Sequence, residues 1–166
     1  MFIAGDILAT IGFFLGVAVT SWATLLAFKL LFPAKADRAA EAMAENAWKT
    51  ALTGTLFLLA IGGAAVVLIS NPLPIVKIVG MVVMGWMLAI SLVGLAGLAS
   101  LLAKRIDEMG AQLSPFASHS RAAAVLIGFC LLPFAGWFVF APAVLAIGAG
   151  AGWTVVMGRA AREVRA

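Results

Sequence analysis

Four long intervals without Asp, Glu, Lys or Arg constrain this chain more than anything else in it. They are Ile7–Phe28, Thr50–Val76, Ile78–Ala103 and Ala122–Gly158. Each is at least as long as the ~20 apolar residues a helix needs to cross a bilayer. Only 11% of the 166 residues are charged, against about 25% in an average soluble protein, so little material is left for a soluble domain. The reading is all-α: one integral membrane helical bundle over residues 1–166. It comprises one N-terminal transmembrane helix, two Pro/Gly-broken helical hairpins (four to five membrane segments) and a cytoplasmic amphipathic helix.

The basic residues orient the spans. Lys29, Lys35, Arg38 and Lys49 follow the first run, Lys104, Arg105 and Arg121 lie between the third and fourth, and Arg159, Arg162 and Arg165 form a tail over 159–166. The positive-inside rule assigns all three clusters to the cytoplasm. The N-terminus, which has Asp6 and no basic side chain, is then outside, and Lys77 is near the outer surface. Ser21 and Ala23 loosely fit a small-x-small cleavage pattern. However, no Lys or Arg precedes the apolar stretch, which continues through Leu31, so it reads as a retained helix over 5–31.

The remaining boundaries follow from breakers. The segment 33–49 starts at Pro33 and is rich in Ala, Glu and Lys, with Glu45 four residues before Lys49. Ala36, Ala40, Met43, Ala47 and Trp48 share a mildly apolar side, which predicts a helix along the cytoplasmic membrane surface. Residues 50–103 form a hairpin whose outer turn is Ser70-Asn71-Pro72-Leu73-Pro74. Residues 104–121 are expected as a cytoplasmic loop. The run 122–158 would be roughly 55 Å long as one helix, so it must break. Leu132-Pro133-Phe134-Ala135-Gly136-Trp137 and Ala141-Pro142 are the available breaks, giving a compact or re-entrant hairpin. A re-entrant turn would have to be covered by protein.

Chemistry-bearing groups are sparse. Cys130 is alone and lies in an apolar run, where it reads as a small hydrophobe. Met81, Met84 and Met87 form a stripe of adaptable packing residues without acidic or histidine partners. His119 is alone in a polar loop among Ser114, Ser118 and Ser120, and the sequence does not show the activated nucleophile and orienting acid a catalytic role would need. No metal, cofactor or catalytic residues are assigned, and the positive charge at the run ends does not indicate nucleic acid. Asp6 and Lys77, at one predicted depth, are expected to form an outer ion pair. Trp48, Trp137 and Trp153 suit interfaces, and Trp22 and Trp86 lie mid-helix.

Small residues recur at helix-packing spacing: Gly12 and Gly16, Gly94 and Gly97, Gly148 and Gly152. They let membrane helices approach closely, either within one chain or between chains. From Phe32-Pro33 onward, the Ala/Arg/Glu-rich helix, the apolar run ending in Asn71-Pro72-Leu73-Pro74, the Gly/Leu-rich return helix, and Leu132–Trp137 followed by Gly148–Gly152 resemble a multi-pass tail. That tail belongs to bactofilin-like, polymer-forming bacterial membrane proteins. The chain lacks their β-helical domain. The resemblance implies a bacterial inner-membrane protein with a scaffold-like or accessory part, and carries no catalytic residues. The function expected is a non-catalytic structural or accessory subunit of a bacterial membrane assembly. Its partners would be membrane lipids and other membrane subunits, or further copies of itself. The alternative is an oligomeric transporter or channel protomer built around the broken hairpins, weakened by the scarcity of intramembrane charge.

Overall fold

The computed structural model describes residues 2–110 and 114–163, with side chains over 5–110 and 114–158. All regular structure among them is helical: α1 (Phe2–Leu31), α2 (Pro33–Glu45), α3 (Ala47–Phe57), α4 (Gly63–Ser70), α5 (Pro74–Glu108), α6 (Pro115–Leu131) and α7 (Ala141–Glu163). Two five-residue π-helical stretches, Leu58–Gly62 and Gly136–Phe140, join α3 to α4 and lead into α7. Four helical segments are long and apolar enough to cross a membrane: Gly5–Leu31, Ala47–Ser70, Pro74–Glu108 and Gly136–Gly158. Many large apolar side chains on them point outward, including Leu8, Leu59, Val67 and Val82. In water that surface would be an aggregation hazard; against lipid tails it is at home.

Local chemistry places the boundaries. Pro33, Pro74 and Pro115 each open a helix, where the missing N–H costs nothing. Asn46 breaks α2 from α3, and its side-chain oxygen accepts from the Lys49 N–H at 2.9 Å, capping α3. Asn71 accepts from the Leu73 N–H at 3.0 Å in the turn between α4 and α5. Gly110 ends α5 with φ +90, the left-handed conformation glycine adopts freely. Ser114 accepts from the Ala117 N–H at 3.3 Å and caps α6.

Several expectations need correction. The helix expected over 33–49 stops at Glu45. Ala47 and Trp48 belong to α3, and Trp48 is 74% exposed. The apolar side of α2 does not face outward: Ala36, Ala39, Ala40 and Met43 are buried, with Ala39 and Met43 packed on Ala151 and Val155 of α7. A residue with no side chain beyond Cβ lets a helix nest against its neighbour, so an alanine-rich face suits protein better than lipid. The expected loop over 104–121 is mostly helix, because α5 runs to Glu108 and α6 starts at Pro115. The run 122–158 breaks at Leu132–Phe134, within the first of its two predicted breakers, while Pro142 lies within the first turn of α7.

Three buried clusters hold the bundle. Leu25 of α1 meets Leu95 and Ala99 of α5 and Ala123 and Leu126 of α6. Ala39 and Met43 meet α7. Phe57, Met87, Ile90 and Ala149 form the third, with Met84 and Trp153 packed against it. Of the Met stripe, Met87 is buried in this cluster and Met84 packs against it, whereas Met81 is exposed. Hydroxyls along the helices are satisfied locally: Thr24, Thr53, Ser91 and Ser100 each donate to the carbonyl four residues earlier.

Candidate functional site: two glycine faces and a buried polar junction

The six glycines singled out by spacing divide into two groups. A Cβ placed on Gly94 would collide with the Gly148 carbonyl, and one on Gly152 with the Ile90 carbonyl. One on Gly148 would lie 2.7 Å from the Leu95 side chain. Gly97 faces α2, where a Cβ would come within 2.6 Å of Ala39 Cβ. The same holds for two glycines outside the spacing motifs. Gly54 faces the Ala146 carbonyl, and Gly150 faces the Thr50 carbonyl. Backbone therefore lies on backbone where α7 meets α3 and α5, a separation that only glycine permits.

Gly12 and Gly16 are different. No described residue lies within 4 Å of a Cβ at either position. With Phe13, Val17, Thr20 and Ser21 they line an open trough of about 410 Å³ along α1. At 3.6 residues per turn, Leu25 is half a turn around the helix from Gly16, so the glycine edge of the trough faces away from the core contact. The described side chains of α1 before Trp22 are exposed or half-buried, whereas Leu25 and Leu26 are buried. The helix is thus held most firmly at its Lys29 end; toward its start it is more open, with Phe14 meeting Trp137 at 5.9 Å between ring centroids.

That anchored end meets a polar junction that sequence spacing does not reveal. His119 is not in a loop; it lies in the first turns of α6, just before the charge-free run, and is 5% exposed. Its Nδ1 is 3.5 Å from the Ser100 hydroxyl of α5, while Ser100 donates to the Ala96 carbonyl at 3.1 Å. The buried His119 Nε2 has no hydrogen-bond partner among the described residues. Burial pushes His119 below the ordinary histidine range, and the Lys29 charge acts in the same direction. The Leu25 carbonyl and Asp37 oppose them. Next to it the Ser118 hydroxyl donates to Asp107 of α5 at 2.5 Å. The Trp22 indole N–H donates to the Ser120 carbonyl at 3.1 Å, tying α1 to α6. Lys29 pairs with Asp37 at 2.5 Å, tying α1 to α2.

This junction fastens four helices. It does not assemble a nucleophile–base pair, because the Ser100 proton is committed to a backbone carbonyl and the histidine contact is long. Among the described residues no group of three or more His, Cys, Asp or Glu could hold a metal ion. The expected Asp6–Lys77 ion pair does not form: the ion pairs among the described residues are Lys29–Asp37 and Arg105–Glu108. Both Asp6 and Lys77 are exposed, and an exposed pair gains too little to hold two mobile side chains together. One signal for the junction was legible in the sequence. Ser114-Pro115 is a helix-start signature, and a helix from there turns Ser118 and His119 inward together with Ala122 and Ala123.

No protein-family model, curated protein or solved structure matches the chain.

Proposed function

We propose that this protein is a non-catalytic packing subunit of a larger membrane assembly, engaging other transmembrane helices through the Gly12–Gly16 face of α1. One observation carries the reading: of the three glycine pairs at helix-packing spacing, this one alone lacks a neighbour among the described residues, while Gly94, Gly97, Gly148 and Gly152 are consumed inside the bundle. Small residues facing lipid give no benefit by themselves; facing another helix they allow close backbone approach and van der Waals contact. The resemblance to bactofilin-associated membrane tails supports a scaffold-like role in a bacterial inner membrane. The basic clusters support cytoplasmic placement of the α5–α6 connection.

The test is Gly12→Leu with Gly16→Leu. Open space at both positions means the bundle should tolerate the change. The expected result is unchanged insertion and unchanged unfolding in detergent, with loss of co-purifying membrane partners or of self-association by chemical cross-linking. Retention of every partner would overturn the reading. Orientation is checked separately by thiol labelling of Asn71→Cys and Met109→Cys in a Cys130→Ser background. The Met109 site should label only from the cytoplasmic side.

A further inference from the structure

A second groove on α1 has different chemistry. It runs between α1 and α6, holds about 260 Å³, and is lined by Ala18, Trp22, Ala124, Ile127, Gly128 and Leu131. Its walls are apolar, and nothing lies within 4 Å of a Cβ at Gly128. One end is closed by the Trp22–Ser120 hydrogen bond. The next residue, Arg121, is exposed and shares a helix face with Ala124 and Gly128, at i, i+3 and i+7. Neither ion pair among the described residues includes Arg121. An apolar slot between α1 and α6 therefore ends beside an exposed positive charge.

We infer that this groove binds one anionic phospholipid, with an acyl chain along Ala124 and Gly128 and the phosphate on Arg121. Charge complementarity selects the headgroup, and the missing side chain at Gly128 makes room for the chain. The site is separate from the Gly12–Gly16 face, so it stands whether or not that face binds a partner. A lipid here would also fill the space between α1 and α6 beyond the Trp22–Ser120 hydrogen bond. Basic sites between membrane helices favour acidic headgroups by electrostatics of about 1 kcal/mol per cation, or about fivefold in affinity.

Native mass spectrometry of the purified full chain tests this, with phosphatidylglycerol and phosphatidylcholine of identical acyl chains as probes. The expected result is a preference for phosphatidylglycerol of about fivefold. Arg121→Gln should erase that preference and leave phosphatidylcholine binding unchanged. Gly128→Phe should displace both lipids by filling the slot, and Ala124→Leu is the second blocking variant if Gly128→Phe does not fold. Lys104→Gln, which removes a basic residue near the C-terminal end of α5, should leave the preference intact. Retention of both lipids by a folded blocking variant would overturn the inference. So would equal binding of the two lipids by the unaltered chain, or equal loss of preference in Lys104→Gln and Arg121→Gln.

Discussion

The start of α1 and the meeting of α5 with α7 carry the same sequence motif and do opposite things. Gly94 and Gly148 bring two backbones of one molecule into contact, while Gly12 and Gly16, spaced identically to Gly148 and Gly152, have no neighbour among the described residues. The motif records that a helix can be approached closely. Whether the approach is used within the chain depends on which helices the connections bring together. α7 is carried against α3 and α5; α1 is held mainly near Trp22, Leu25 and Lys29, with a lighter contact between Phe14 and Trp137, and no described residue packs on its Gly12–Gly16 face.

Four measurements would break or sharpen that contrast. The largest effect is expected at the inner face. Gly94→Ala or Gly152→Ala places a methyl group on a backbone carbonyl that cannot move aside, and should destabilise the bundle by about 3 kcal/mol, the upper range for overpacking. Unfolding of the purified protein in detergent reads this directly. A change below about 0.5 kcal/mol, as at an ordinary surface site, would dissolve the distinction between the two faces.

Next comes the anchor of α1. Trp22→Phe removes the indole donor and leaves the Ser120 carbonyl without it, which should cost about 1 kcal/mol. The expected signature is easier proteolysis or faster hydrogen exchange confined to α1 and α6. Loss spread over α3 and α7 as well would mean that α1 is more deeply integrated than its exposed start indicates.

The junction should also respond to pH. His119 is held below its ordinary range in the folded protein, so the unfolded chain takes up a proton first as pH falls below about 6.5. Stability is complete above that value, declines beneath it, and flattens once the folded form also protonates. His119→Gln should flatten the profile between pH 7 and pH 5. A profile unchanged by the substitution would assign the acid sensitivity elsewhere.

The smallest effect on stability is expected at the outer face. Gly12→Leu with Gly16→Leu should shift unfolding by no more than about 0.5 kcal/mol, because no atom of this chain is displaced. Its consequence is confined to association. Destabilisation as large as that of Gly94→Ala would show that α1 packs back on the bundle.

Much was legible in the residues alone. Charge-free runs, the Asn71-Pro72 turn and the Leu132-Pro133 break were readable because lipid solvation and proline geometry act locally, without reference to distant parts of the chain. The boundary at Asn46 was missed because Ala-rich helix continues in composition through Lys49, and only the cap from Asn46 to Lys49 ends it. The polar junction was missed because its members come from four helices: Lys29, Asp37, Ser100 with Asp107, and Ser118 with His119. No spacing rule connects residues that far apart.

By itself, then, the sequence determined that the chain is helical, that it suits a bilayer, and where most helices begin, since each of these depends on a few neighbouring residues and on the solvent around them. Only the tertiary structure decided which small residues are consumed and which stay open. It turned the alanine face of α2 into the bundle, closed Gly54 and Gly150 onto opposing carbonyls, buried His119, and left Gly12 and Gly16 bare. The physical reason is that a glycine or alanine face has no strong preference of its own in lipid. Its role is assigned by the helix that packs against it, and that helix is chosen by the whole chain.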